Sequence, residues 1–167
     1  MRRFAIGSAI VAPVLVIGAL FAGNYAIKTH ERAAKADAAN RIRRQTADVK
    51  SGKQRFVVLS NELDTFAFSE FVKSRGDLGQ ANPYELQVCY SNDTDCFLRQ
   101  IAGIRGVRSL VLYKTDVSDD GIEFVATMPE LTEVRIGKNL RTSVTGEKLA
   151  ELRVRLPQCT ISVGEDE

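Results

Sequence analysis

Apolar residues in the second half of the chain recur every 24 residues, and this repeat restricts the possible folds more than any other feature. Leu86, Leu110 and Val134 stand in this register. The third unit gains three residues within 137–143, after which the offset is 27 and relates Val134 to Ile161. Units of this length indicate stacked repeats, because one unit cannot bury its apolar edge alone.

Each unit combines a strand pattern with a helix pattern. The alternation Leu110-Val111-Leu112 directs successive side chains to opposite faces, as a short strand requires. Ser118-Asp119-Asp120 then supplies an N-cap and acidic first-turn residues, and Thr145 begins the corresponding segment of the last unit. Pro129 and Pro157 predict where these helices end. We therefore expect an α/β fold in which three to four parallel strands have helices on the convex side.

The repeat residues resemble a known family. The stretch Val107-x-x-Leu110-x-Leu112-x-x-Thr115-x-Val117-Ser118-Asp119-x-Gly121-Ile122 resembles a bacterial leucine-rich repeat of the variant with threonine in place of the usual asparagine and a "VTDxGL" turn. Val144-Thr145-Gly146-x-x-Leu149 and 156–161 resemble the last repeat of that family, and the resemblance covers about residues 83–163. It is weaker over 83–106, where Ser91 replaces the threonine. It implies a short solenoid in which Cys159 packs as a small hydrophobic residue.

An uncharged segment precedes the repeats. No charged residue lies between Phe4 and Ala22, and a helix of this length nearly crosses a hydrocarbon core of about 30 Å. With the basic tip 1–3 before it, the pattern predicts a single-pass transmembrane helix over 4–23. A cleaved signal peptide is one alternative, although its apolar core usually covers only about 7–15 residues. A buried helix of a soluble domain is another.

The charges around this segment leave its orientation open. Basic residues on the C-terminal side of the span favour a cytoplasmic head. A short basic tip before an apolar run instead favours export of the downstream domain. We expect the protein in the bacterial inner (plasma) membrane, with a periplasmic head favoured over a cytoplasmic one.

The charge changes sign along the chain. Residues 1–55 contain 11 basic and 3 acidic side chains, whereas 56–167 contain 12 and 18. Residues 24–54 are predicted to form a basic helical stalk, a solvated spacer in which Ile42 and Val49 make a narrow apolar seam. In a second interpretation, the stalk arginines contact anionic lipid. These arginines are Arg41, Arg43 and Arg44.

The head is predicted to have three parts. An N-terminal cap over 55–82 contains an edge strand at 56–59 and a capping helix, repeats occupy 83–164, and a short tail covers 165–167. Cys89 and Cys96 bracket a polar loop in the first repeat. Their spacing does not match a zinc site, so a disulfide that staples the loop and two separate thiols are both open.

The residue types do not assemble into a catalytic set. His30 is the only histidine and lies outside the head, which leaves no Ser-His-Asp arrangement, and no glycine-rich phosphate loop is present. The basic stalk has no interleaved aromatics, as single-stranded nucleic-acid binding would require. We predict a protein that is not an enzyme and has no cofactor, metal, nucleic acid or small-molecule substrate.

The outward strand positions are the predicted binding surface for a protein ligand. They form two columns, each made of residues side by side on successive strands, with Tyr113 at the edge. The first column is Glu85, Ser109, Glu133 and Thr160, and the second is Gln87, Val111, Arg135 and Ser162. The prediction is a membrane-anchored protein-interaction module. The alternative is a structural or accessory subunit of a membrane complex that acts through its span and stalk.

Overall fold

A computed structural model describes residues 11–60, 64–78 and 83–165. The chain divides into two compact units, Met1–Ala36 and Asp37–Glu167. Helix α1 (Val11–Lys50) begins in the first unit and ends in the second. Among the helices described, none combines the length and the apolar character that crossing a membrane requires. Residues 4–10 of the predicted span, the tip 1–3 and the tail residues 166–167 lie outside the described residues.

The second unit is built on a parallel sheet of five strands in the order β1-β2-β3-β4-β5. The elements after α1 alternate strictly between strand and helix. They are β1 (Phe56–Ser60), α2 (Asp64–Leu78), β2 (Tyr84–Cys89), α3 (Thr94–Gln100), β3 (Val107–Tyr113), α4 (Asp119–Val125), β4 (Glu133–Lys138), α5 (Gly146–Arg155) and β5 (Thr160–Glu165). The α/β class and the parallel sheet are confirmed. The repeats contribute four strands, β2 to β5, as expected, and the edge strand expected at 56–59 is β1, which makes the fifth.

Strand pairing follows the sequence repeat. Leu86 lies beside Leu110, and Leu110 beside Val134, so the offset of 24 is the register of the sheet. Val134 then lies beside Ile161, which is the offset of 27. The side chains of Leu86, Leu110 and Val134 are fully buried. The periodic apolar residues therefore form one continuous core beneath the sheet.

The helix starts connect neighbouring repeats. Ser118 caps α4 by accepting a hydrogen bond from the Asp120 backbone N–H at 3.2 Å, as its sequence position predicts. Asp95 of the preceding repeat accepts hydrogen bonds from both the backbone N–H and the hydroxyl of Ser118. Asp119 repeats this contact one unit later, where it accepts from Thr145 N and Oγ1 at 2.8 and 2.9 Å. One acidic side chain thus stabilises the start of the helix in the next repeat.

The C-terminal part of α1 belongs to the folded head. Ile42 and Val49 are 1% and 0% exposed and are part of the same core as the repeats. The Gln45 side chain accepts a hydrogen bond from Val58 N at 2.7 Å, which occupies a donor on the edge strand β1. The expectation of a solvated spacer over 24–54 is therefore wrong for the last turns. The apolar seam covers the open end of the sheet.

Candidate binding surface on the strand face

The strand face consists of the outward side chains of the sheet. Strand register brings Glu85, Ser109, Glu133 and Thr160 side by side, as expected. A second column is formed by Gln87, Val111, Arg135 and Ser162. The residues between the two columns are buried on β2, β3 and β4, where they are Leu86, Leu110 and Val134, and partly buried on β5. The predicted columns therefore exist as geometry, and their role in binding stays a prediction.

Strand β1 extends both columns by one residue. Phe56 lies beside Glu85, and Val58 lies beside Gln87. Phe56 is 47% exposed, a large fraction for a phenylalanine on a sheet. Sequence reasoning missed both residues, since 29 positions separate Phe56 from Glu85 and the offset of 24 cannot connect them. Alternation within 56–60, with Val57 and Leu59 facing the core, was the signal that could have found them.

An ion-pair network crosses three strands of this face. Arg135 Nη2 on β4 lies 2.7 Å from Glu85 Oε2 on β2, and Arg135 Nε lies 3.3 Å from Glu133 Oε1. Ser109, between the two glutamates, donates its hydroxyl to Glu133 Oε2 at 3.0 Å. The Arg135 and Glu133 side chains are 48% and 42% exposed. Exposed pairs of this kind contribute about 0–1 kcal/mol, so they can re-pair with groups on a ligand at little cost.

A cavity adjoins the strand face where the strands begin. Its volume is about 470 Å³. It shares Glu85 and Ser109 with the first column, and the guanidinium-bearing residues Arg55 and Arg108 also line it. The first column therefore continues into a cavity with basic walls, which adds hydrogen-bond donors beside Glu85 and Ser109.

Tyr113 and Cys89 occupy a third column at the other end of the strands. Cys89 pairs with Ser60 and with Tyr113 in the parallel register. Cys96 lies in α3, where its Sγ is 3.5 Å from Gln100 Nε2. No disulfide joins the three cysteines, all of which lie within the described ranges, so the loop-stapling bridge is not formed. Cys159 packs against the core, and burial raises the pKa of its thiol.

The predicted lipid-contacting arginines differ in their surroundings. Arg43 donates to Glu70 Oε2 on α2 from Nε and Nη2 at 3.2 and 3.1 Å. Lys73 donates to the other oxygen of Glu70 at 2.8 Å. The hydrogen bond from Lys73, together with the smaller effect of that from Arg43, lowers the pKa of the Glu70 carboxyl. All three arginines are exposed, and Arg43 in addition connects α1 to α2 through its ion pair with Glu70.

No protein-family model matches the chain, and no curated protein matches it. Among the residues that the structure describes, no group of three or more His, Cys, Asp or Glu side chains is arranged to hold a metal ion. The exposed strand face is a surface whose residues are aligned by the repeat itself. Function is therefore inferred from this face.

Proposed function

We propose that this chain is a leucine-rich-repeat protein-interaction module that binds a protein ligand on its strand face and is anchored in a membrane by residues 4–23. The observation behind the binding role is the alignment of outward residues in columns across all five strands. The five strands are separated by four spacings of about 4.8 Å, so this face is about 19 Å wide. That width suits a segment of a folded partner better than a single small molecule.

The composition of the face also favours a protein ligand. Phe56 offers an exposed aromatic anchor at one side, and aromatic residues are enriched among those that dominate binding energy. Gln87 on the neighbouring strand, and Glu133 and Arg135 three strands away on β4, add hydrogen-bonding groups to the same face. A partner that re-pairs Arg135 gains specificity through charge complementarity. The face therefore offers an aromatic anchor at its β1 edge and a polar network nearer the middle of the sheet.

Mutation of the strand face tests the binding role. The double variant Phe56→Ala/Arg135→Ala removes the anchor and the centre of the ion-pair network. We expect loss of at least one protein that copurifies with the wild-type chain after in-cell crosslinking. Arg105→Ala, which removes an exposed cation from the loop between α3 and β3, is the matched control. Equal recovery of every crosslinked protein by the wild-type chain and the double variant would contradict the proposal, provided that both melt at similar temperatures.

The membrane part of the proposal depends on the uncharged run after Arg2 and Arg3. A membrane-impermeant thiol reagent applied to intact and permeabilised spheroplasts reports the side on which the head lies. Alkaline extraction of membranes tests the anchor itself, since a single-span protein stays with the pellet.

Exchange of 1–26 for an unrelated span separates the two functional classes. Ligand binding survives the exchange in a binding module and fails in a subunit that acts through its own span.

A further inference from the structure

Aromatic and cationic side chains meet where three adjacent strands end. Tyr90 comes directly after β2, Lys114 directly after β3, and the segment 139–141 directly after β4. Since parallel strands end at the same edge of a sheet, these three segments lie side by side. They line an open cavity of about 360 Å³. We refer to Tyr90, Tyr113, Lys114, Leu140 and Arg141 as the edge site.

The aromatic part of the edge site is a tyrosine pair with a lysine. The rings of Tyr90 and Tyr113 meet edge to face, with centroids 5.6 Å apart and an interplanar angle of 85°. Lys114 Nζ lies 5.4 Å from the Tyr90 centroid and 5.0 Å from that of Tyr113. Cation–π contacts of this kind hold the ammonium group in place. The positive charge therefore has a defined position at the edge of the sheet.

The backbone at this edge is strained in two successive repeats. Tyr90 and Lys114 occupy equivalent positions, and their φ angles are 57° and 50°. This left-handed conformation costs an L-residue roughly 1–2 kcal/mol relative to glycine, which adopts it freely. Both positions nevertheless have large side chains that line the same cavity. Strain retained at an exposed edge is typical of binding sites.

The three-residue insertion in the third repeat supplies the remaining wall. Asn139 Nδ2 donates to Thr115 O at 3.3 Å, and Arg141 N donates to Asn139 Oδ1 at 2.8 Å. The Thr142 hydroxyl donates to Thr115 O at 3.1 Å. These bonds hold the inserted loop against the neighbouring repeat, and Leu140 at its tip is fully exposed. An ordered loop thus presents an aliphatic side chain beside the tyrosines.

Charge determines what this cavity can accept. Lys114 and Arg141 are cationic, and no carboxylate is present among the described residues that line the cavity. Arg141 Nη1 donates to the neutral Asn92 Oδ1, and within the described ranges it forms no ion pair. A carboxylate placed between these two cations would be complementary in charge. Leu140 and Tyr90 would cover an adjacent apolar side chain.

We propose that the edge site docks an acidic segment of the protein ligand, in which glutamates or aspartates flank an aliphatic residue. This inference rests on the proposed function, because it assigns the chemistry of part of the same ligand. The strand face and the edge site are continuous through Tyr113, which belongs to the third column of the face. The ligand would therefore cross the sheet and end with its acidic segment at the carboxyl ends of the strands.

A defined peptide tests the edge site. The probe is a fluorescein-labelled peptide of four glutamates around a central leucine, and its analogue has four glutamines. We expect the full-length chain, in mild detergent, to bind the acidic peptide at least about fivefold more tightly by fluorescence anisotropy. Arg141→Gln and Lys114→Asn should each weaken it about threefold and together about tenfold. Asn removes the charge while tolerating a positive φ. Arg105→Gln, with the same loss of charge elsewhere, should bind like the wild-type chain.

Several outcomes overturn the inference. Equal affinity for the acidic and neutral peptides would do so, as would unchanged affinity in the folded Arg141→Gln/Lys114→Asn variant. Affinity that does not fall between about 50 and 300 mM salt would also contradict a charge-based site. The strand-face variant Phe56→Ala/Arg135→Ala separates the two proposals. If it keeps every crosslinked protein while the edge variants lose the acidic peptide, the strand-face proposal fails and the edge site stands. If the strand-face variant loses a crosslinked protein while the edge variants still bind the acidic peptide, only the edge-site inference is rejected.

Discussion

Replacement of Ile42 by alanine distinguishes a helix that is part of the core from a solvated stalk. The side chain is 1% exposed and packs among core residues of the repeat domain. Alanine lacks three of its carbon atoms, which at about 0.8 kcal/mol each predicts a loss of about 2.4 kcal/mol. The cavity left behind adds to this, and the better helix propensity of alanine subtracts a few tenths. We expect the free energy of unfolding to fall by about 3 kcal/mol.

Ile27→Ala is the matched control for this experiment. Ile27 lies in the same helix α1, but its side chain is 66% exposed. The two substitutions delete the same atoms and change helix propensity equally, so only burial differs. Urea titration monitored by far-UV circular dichroism, on the full-length chain in one detergent, gives both values. Ile42→Ala should lower the midpoint at an unchanged m-value and lower the melting temperature by about 10 °C.

A loss below about 0.5 kcal/mol for Ile42→Ala would refute this reasoning. So would equal losses for the two isoleucine variants. Either result would mean that residues 37–50 do not share a core with the repeats, and the interpretation of α1 as a spacer would return. A change in m-value together with the midpoint would instead indicate that α1 unfolds separately from the sheet.

Two further predictions concern the packing between repeats and the contact between α1 and α2. Gly121→Ala should lower stability by about 1–3 kcal/mol in thermal melts, because the added Cβ meets the Asp95 carboxylate. The control is Gly146→Ala, whose added Cβ has no atom within 4 Å and which should leave stability unchanged or slightly raised. Equal effects of the two variants would contradict the packing of α4 on the preceding repeat. Because its pKa is lowered in the folded state, Glu70 should stabilise the fold above the usual titration range of a glutamate and lose this effect as the pH falls through its folded pKa. The stability difference between the wild-type chain and Glu70→Gln, measured from about pH 7 to about pH 3, should shrink on acidification; a constant difference would count against the ion pairs.

Much of the repeat domain could be predicted from local pattern. Alternation around Leu110 and Leu112 predicts which side chains face the core, and Ser118 and Thr145 predict the starts of α4 and α5. These features depend on residues a few positions apart, so backbone geometry alone relates them. The columns of the strand face follow from the same repeat, since equal spacing aligns equivalent residues on neighbouring strands.

Local pattern predicts the edge strand at 56–59, but neither the register of β1 with β2 nor the burial of the last turns of α1 could be predicted in the same way. Phe56 is separated from Glu85 by a spacing that the repeat does not contain, and Ile42 lies in a segment dominated by alanine and basic residues. The placement of both residues depends on the whole domain, because β1 and the last turns of α1 lie together at one end of the sheet. A seam of two apolar residues in α1 predicts burial only when the surface of the sheet against which it packs is already known.

The repeating unit of this protein is a strand and a helix that recur every 24 residues with one face buried. The sequence encodes this unit locally, because side-chain periodicity along the chain dictates which residues share a face. The contacts between units are not encoded in this way and exist only in the tertiary structure. Arg135 reaches Glu85 across 50 residues of sequence, and Tyr90, Lys114 and Arg141 meet at one edge. Such contacts form only when separate units stack into a sheet. Side chains that are far apart in sequence then become neighbours, and no local sequence pattern encodes the distance between them.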